Sequence, residues 1–449
     1  MKAIDINKLK EEANRCFLCK VPKCKKYCPI DTQIPAVIQL FKENKIDEAG
    51  EILFNNNPLS AICGVVCPHE DQCLGNCIRG IKDEPVNFYE IESFISREYL
   101  KNTKLKQENK LNERIAIIGS GPAGISLALI LAKKGYKVTI FEKRSHIGGV
   151  LRYGIPKFRL PVGVLDDIEN MLLDLNVKIR YNALVGPVIT IDKLFEDGYD
   201  AIFIGTGVWN PKPLNIKGET FGHVHYAIDY LKSPNSYRLG DNVVIIGAGN
   251  VAMDAARTAK NHGASNVTVV YRKGFEDMTA TKAEIKDAKE DGVNFELFKA
   301  PVEIIDEGVI FIDTKKLDDE RKTMVNIEGS EKLINADSVI IAISQSPKNN
   351  IVSNTKNIDT NKYGLLVTDD EGHTTREGVF ASGDVVTGAK TVVEAVANAK
   401  KVGTTSNDLS IEEILKAHTE YVSVNKNNNH KQDFKDKKLK SILCVAICI

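Results

Sequence analysis

Hydrophobic positions along this chain follow two different rhythms. From Ile34 to Phe54 (IPAVIQLFKENKIDEAGEILF) they fall three and four apart, the spacing of an amphipathic helix, and Ile91 to Leu100 repeats that spacing. Beyond them the rhythm changes to short unbroken apolar runs, Ile115 to Ile118 and Val243 to Ile246, which suit strands buried on both faces. Each run leads into a glycine-rich turn and a helical stretch closed by glycine: GSGPAGISLALILAKKG after the first, GAGNVAMDAARTAKNHG after the second. A further strand follows each, Lys137 to Phe141 and Asn266 to Tyr271. Strand, turn, helix and strand is the βαβ unit of a nucleotide-binding sheet. The hydrophilic stretch Lys101 to Asn112 lies between the two regimes and reads as a linker. The expected fold is α/β, with an all-helical N-terminal domain ahead of two Rossmann-like nucleotide-binding domains.

Composition narrows the field. Lys+Arg and Asp+Glu both total 60, so the basic excess of a nucleic-acid binder is missing. No apolar run reaches the ~18 residues a membrane span needs, and Met1 to Arg15 has no apolar signal core. A cytoplasmic protein with no membrane role is expected. Of the ten cysteines, eight fall between Cys16 and Cys77 and two, Cys444 and Cys448, at the C-terminus. Thiols so dense in a reducing compartment read as metal ligands rather than disulfides.

The first run is Cys16-x2-Cys19-x4-Cys24-x3-Cys28-Pro29, the second Cys63-x3-Cys67-Pro68-x4-Cys73-x3-Cys77. Three close cysteines followed by Cys-Pro form the ferredoxin-type signature, in which the last cysteine serves the other cluster. The two runs are therefore expected to interleave into two [4Fe–4S] clusters. Structural zinc favours paired C-x2-C knuckles, and only Cys16/Cys19 has that form.

In the first turn, Gly119, Gly121 and Gly124 are spaced G-x-G-x-x-G between strand and helix, with Ser120, Pro122 and Ala123 filling the loop. The first glycine permits the turn, the second admits a pyrophosphate, and the third packs helix on strand. Glu142, at the end of the next strand, suits ribose hydroxyls of FAD or NAD. The second turn reads Gly247, Ala248, Gly249, Asn250, Val251, Ala252, and Arg272-Lys273 stand where the carboxylate should be. Cations there suit a 2′-phosphate, so this site favours NADP. Nicotinamide delivers a hydride and a [4Fe–4S] cluster passes single electrons, so the first site is assigned a flavin to connect them. No cysteine between residues 78 and 443 offers the dithiol of a thioredoxin-reductase-like enzyme.

With these motifs, and with GGVLRYGIPKFRLP (148–161), IGTGVWNPKPLNIKGE (204–219) and GVFASGDVVTGAKTVVEA (378–395), the chain resembles the small (β) subunit of NADPH-dependent glutamate synthase. It is also similar to the N-terminal half of dihydropyrimidine dehydrogenase and to the large subunit of NADH-dependent ferredoxin:NADP oxidoreductases. The resemblance implies an iron–sulfur domain over 1–105. It implies an FAD domain over 112–240 and 346–410, with an NADPH domain over 241–345 inserted. Lys143, Gly149, Val150, Arg159, Val185, Gly383, Asp384 and Thr391 would join the FAD site, and Thr279 the NADPH site, where relatives carry Pro or Arg. One cluster would take Cys16, Cys19, Cys24 and Cys77. The other would take Cys28, Cys67, Cys73 and Glu92, leaving Cys63 a buried bystander.

The function expected is electron transfer from NADPH through FAD and two [4Fe–4S] clusters to a partner. That partner would be an FMN-containing catalytic subunit or a ferredoxin-type acceptor. Alternatives keep the wiring but serve a pyrimidine dehydrogenase or a ferredoxin-linked bifurcating complex; a zinc-stapled nucleotide sensor stands apart. The tail over 425–449 is Asn/Lys-rich and expected to be disordered.

Overall fold

Helices come first in the chain: Ile6–Asn14, Ile34–Lys42, Ile46–Asn56, Ser60–Val66 and Phe88–Asn102 are the main ones in the computed structural model, which describes residues 5–318 and 323–404. The periodic stretch Ile34 to Phe54 is divided in two. Asn44, at φ 60°, takes the left-handed conformation that Asn tolerates, and the chain turns there. The apolar faces of both halves (Ile38, Phe41, Ala49, Leu53) join Phe94 and Ile95 in one core, Phe41 and Phe94 meeting edge-on at 5.9 Å. Small residues let two helices close on Phe88–Asn102. A Cβ on Gly50 would stand 2.6 Å from the Tyr99 Cβ, and one on Gly64 would stand 2.9 Å from the Ser93 nitrogen.

Two five-stranded parallel sheets follow. The first has the order Val379–Ala381, Ala201–Ile204, Arg114–Ile118, Lys137–Phe141, Lys178–Arg180. The second has the order Val224–Tyr226, Ser338–Ile341, Asn242–Ile246, Asn266–Tyr271, Asn294–Leu297. In sequence the second sheet is inserted between the last two strands of the first. The chain crosses between them on two short antiparallel strands, Asn210–Pro211 and Gln345–Ser346. An antiparallel sheet of Lys299–Ile305, Gly308–Asp318, Thr323–Asn326 and Lys332–Asn335 extends the inserted unit. Nothing in the hydrophobic pattern announced it, because charged positions interrupt the alternation along its strands.

The stretch Lys101 to Asn112 is not a free linker. Helix continues to Asn102, Leu105 is buried, and the backbone nitrogens of Glu108 and Leu111 donate to Lys133 O (2.8 Å) and Gly135 O (3.0 Å). Its side chains are polar because they face water, while its backbone is bound. Leu59, Ile62, Tyr99 and Leu100 from the helical unit share one core with Ile115, Ile125 and Leu129 from the first sheet's unit. No helix among the described residues is long and apolar enough to cross a membrane. The tail over 425–449, with Cys444 and Cys448, lies outside the described residues.

Candidate functional site

The first glycine turn opens a cleft at the end of its sheet. Gly119 sits at φ +95°, where a Cβ would lie 2.7 Å from Gly205 O. A Cβ on Gly124 would lie 2.0 Å from Gly119 O, so helix Pro122–Lys134 can seat on the strand only through glycine. Beside Gly121, in contrast, the nearest atom to a Cβ would be 3.9 Å away. That open side lies at the helix N-terminus, whose first N–H groups lack intrahelical partners and favour a phosphate.

Gly119, Ser120, Gly121, Pro122, Ala123, Glu142, Lys143, Gly149, Val150, Val185, Gly383, Asp384 and Thr391 all line this cleft, with Gly124 packed beneath it. Glu142 is buried, with one oxygen accepting from Ser120 N (3.0 Å) and Oγ (2.5 Å) and the other from Arg144 N (2.9 Å). Lone pairs remain on that carboxylate for a ribose hydroxyl. Burial, reinforced by neighbouring Arg144, pulls the Lys143 ammonium down to about 8. Arg144 itself lies over the rings of Trp209 (3.8 Å) and Tyr153 (4.1 Å), an aromatic clamp the sequence reading missed. Burial pushes the Asp384 carboxyl up to about 6, although Lys390 N donates to it at 3.2 Å. The buried Ser382 hydroxyl, also on the cleft wall, has no partner among the described residues. An open glycine cradle, a ribose-competent carboxylate and an unpartnered hydroxyl fit a flavin dinucleotide. Among the described residues, no cysteine lines the cleft.

Arg159 departs from its expected place. It does not line the cleft but spans two units: its guanidinium binds Asp254 through Nη1 (2.7 and 2.8 Å) and Glu284 through Nη2. Asp254 stands on helix Asn250–Asn261 and Glu284 on helix Lys282–Glu290, both in the inserted unit. Burial pushes the Glu284 carboxyl up to about 7 and raises Asp254 as well, with Arg159 opposing both. These partners lie far from Arg159 in sequence, so no local pattern marked them.

The second turn has the same build. Gly247 is at φ +135°, where a Cβ would lie 2.3 Å from Ala342 O, and Ala252 is fully buried in the third position. A Cβ on Gly249 would meet the Thr279 hydroxyl at 3.2 Å. The loop holding Thr279 is tied across the turn by Ala280 N to Ala248 O and Thr281 N to Asn250 Oδ1, both 3.1 Å. Arg272 is exposed at the strand end and Lys273 half-buried; neither enters a salt bridge among the described residues. Val251 reaches the wall of the first cleft, so the two turns serve adjoining space. Cations just past the adjoining strand fit an NADP phosphate.

The eight N-terminal thiols are all free. Burial, reinforced by neighbouring Cys19 and Cys77, pushes the Cys16 thiol up and the Cys24 thiol up to about 11. Cys28, Cys67, Cys73 and Glu92 line a second pocket together with Cys63, which lies in the wall rather than apart from it. Neighbouring Cys63, together with burial, holds the Cys67 thiol well above its ordinary value. Glu92 is 7% exposed and forms no salt bridge among the described residues; burial pushes its carboxyl well up. A buried carboxylate among thiols, with no cation beside it, fits a metal site.

Residues 113–401 match the profile of the pyridine nucleotide-disulphide oxidoreductases, which also matches over 82–158. The chain belongs to that family. Residues 1–104 match dihydropyrimidine dehydrogenase domain II, a 4Fe-4S cluster domain. This family member is 34% identical over 422 residues to the oxidoreductase AegA of Escherichia coli (strain K12), covering 87% of this chain and 64% of AegA. It is 32% identical over 419 residues to the glutamate synthase [NADPH] small chain of Halomonas elongata, covering 87% of this chain and 89% of that one. Among solved structures, Mycobacterium tuberculosis FprA in complex with NADPH matches with a TM-score of 0.58 at 17% identity, over 75% of this chain and 91% of FprA, a likeness of fold. The protein is thus an NADPH-dependent FAD oxidoreductase of this family, with an iron–sulfur domain.

Proposed function

We propose that the protein passes electrons from NADPH, through FAD and two [4Fe–4S] clusters, to a separate partner. One observation carries this reading. Thr391 and Val392 line the first cleft, and the next residue, Val393, lines the pocket of Cys28, Cys67, Cys73 and Glu92. A single helix start therefore separates the two sites. Bound FAD would accept hydride and release electrons singly, which iron–sulfur centres can take up.

The chain's own residues bind and orient. Gly119 to Gly124 seat the dinucleotide, Glu142 holds a ribose, and Gly149, Val150, Val185, Gly383 and Asp384 close the walls. Gly247 to Ala252, with Arg272, Lys273 and Thr279, would hold NADPH at the adjoining turn. Cys16, Cys19, Cys24 and Cys77 would hold one cluster and Cys28, Cys67, Cys73 and Glu92 the other.

The partner reading favoured is a glutamate-synthase-type large subunit. Its support is similarity along most of the chain: the glutamate synthase [NADPH] small chains of Halomonas elongata and Azospirillum brasilense are each 32% identical to it, over 87% and 86% of its residues. Anaerobic purification from the source cell, with mass spectrometry of what accompanies the chain, tests it. An FMN-bearing glutaminase/synthase subunit is the expected companion; a formate or pyrimidine dehydrogenase subunit instead would reject this partner.

A further inference from the structure

The surface around Cys16, Cys19, Cys24 and Cys77 has a character of its own. Four large apolar side chains stand in water there: Phe17 (61% exposed), Val21 (82%), Tyr27 (51%) and Ile81 (71%). Scattered exposed apolar residues are ordinary, but these fall beside one set of thiols. Between Arg15 and Asp31 the intervening sequence CFLCKVPKCKKYCPI holds Lys20, Lys23, Lys25 and Lys26 and no acidic residue. Lys20, Lys23 and Lys26 are exposed, and none of the four lysines enters a salt bridge among the described residues. The nearby carboxylate Asp83 is already engaged by Arg79 (2.6 Å) and Arg15 (3.8 Å). Arg79 also lies over the Phe17 ring at 5.2 Å, which ties the Ile78–Ile81 turn to the same patch. On a chain of zero formal charge, this is a local basic and apolar face.

We infer that this face docks the electron-accepting partner, and that the partner presents an acidic rim around an apolar contact beside its own one-electron centre. This rests on the proposed electron path and deepens it by naming the exit and the chemistry of what meets it. Lysines at a rim steer an acidic partner into encounter and make the association salt-sensitive. Phe17, Val21, Tyr27 and Ile81 supply the desolvated centre that a rim of charges alone lacks. An anionic membrane would also attract lysines and apolar side chains, but lipid accepts no electrons, and thiols suited to a cluster lie directly beneath.

The test uses the full chain carrying its flavin and clusters, with a small acidic ferredoxin as probe. Calorimetric affinity is measured from low to high salt for the wild type, for the triple variant Lys20→Glu/Lys23→Glu/Lys26→Glu, and for Phe17→Ala. The expected result is wild-type binding that weakens with salt, with roughly tenfold or greater loss in the triple variant and a salt-insensitive loss in Phe17→Ala. Iron content and NADPH-dependent flavin bleaching should stay unchanged in both variants. Equal affinity in all three proteins overturns the inference, as does absence of wild-type binding. Uptake on phosphatidylglycerol vesicles in place of ferredoxin also overturns it, in favour of a membrane. Failure of NADPH to reduce the clusters of the wild type would instead strike the electron path itself, whatever the binding shows.

Discussion

Glu142 shows how much a single side chain can organise. Its two oxygens collect donors from Ser120 and from Arg144, so it fixes the glycine turn and the aromatic clamp at once. Glu142→Gln replaces one acceptor by a donor facing a buried N–H, and the expected cost is about 1–3 kcal/mol. Thermal melting and the flavin-to-protein ratio after gel filtration both check it; the ratio should fall. Asp384 gives a pH prediction. Its folded carboxyl titrates at about 6, above the ordinary 3.8, because burial disfavours the anion. Between those values the folded state holds a proton that the unfolded state has released. The stabilising contribution is therefore full below the ordinary carboxylate value and lost as pH rises through about 6. In flavin-free protein, Asp384→Asn should melt higher than wild type at about pH 8 and no differently at about pH 4. The place of the glycines and Glu142 at this cleft was legible in sequence because it depends on local turns and fixed spacing. Arg159 was not, since its partners are set by packing between units.

Between elements, close approach decides where the pocket's thiols and Glu92 stand. Gly64 lets helix Ser60–Val66 touch the backbone of Phe88–Asn102 at Ser93 and Tyr89, one residue from Glu92 and beside Cys63 and Cys67. Gly64→Val should push the helices apart and lower iron and sulfide content measured on anaerobically purified protein, with flavin content little changed. The Arg159 triad belongs to the same scale. Arg159→Met leaves Asp254 and Glu284 buried without their cation, and a loss of about 3–5 kcal/mol is expected. Replacing all three by apolar residues of similar volume should recover much of that loss, because the desolvation of both carboxylates disappears with the charges. Thermal melts of the single and triple variants separate a latch from a mere contact. Helix existence was legible from periodicity, but the break at Asn44 was not, since the apolar spacing runs straight through it.

At the scale of the molecule, the cores are divided differently from the sequence zones. A polar stretch at 101–112 suggested an independent N-terminal domain, because side-chain polarity cannot reveal that a backbone is bound. Yet Leu59, Ile62, Tyr99, Leu100 and Leu105 belong to the same apolar cluster as Ile115, Leu127 and Val396. The inserted unit instead has clusters of its own, one around Val243, Ala255 and Val267 and another around Ile246, Val309 and Phe311. Among its links to the rest are the paired strands Asn210–Pro211 and Gln345–Ser346, the Arg159 ion pairs and the Arg257 guanidinium over the Phe158 ring at 4.9 Å. Elements that share a core lose their burial together, whereas a unit with a separate core can melt alone. Calorimetry should therefore show two transitions, one for the inserted unit and one in which the iron–sulfur and FAD units melt as a single body. Added NADP should move the first upward through its binding energy, and Arg159→Met should separate the two further. Three independent transitions, or an iron–sulfur unit that melts apart from the flavin unit, would show that the shared core contributes little and that the polar stretch is a linker after all.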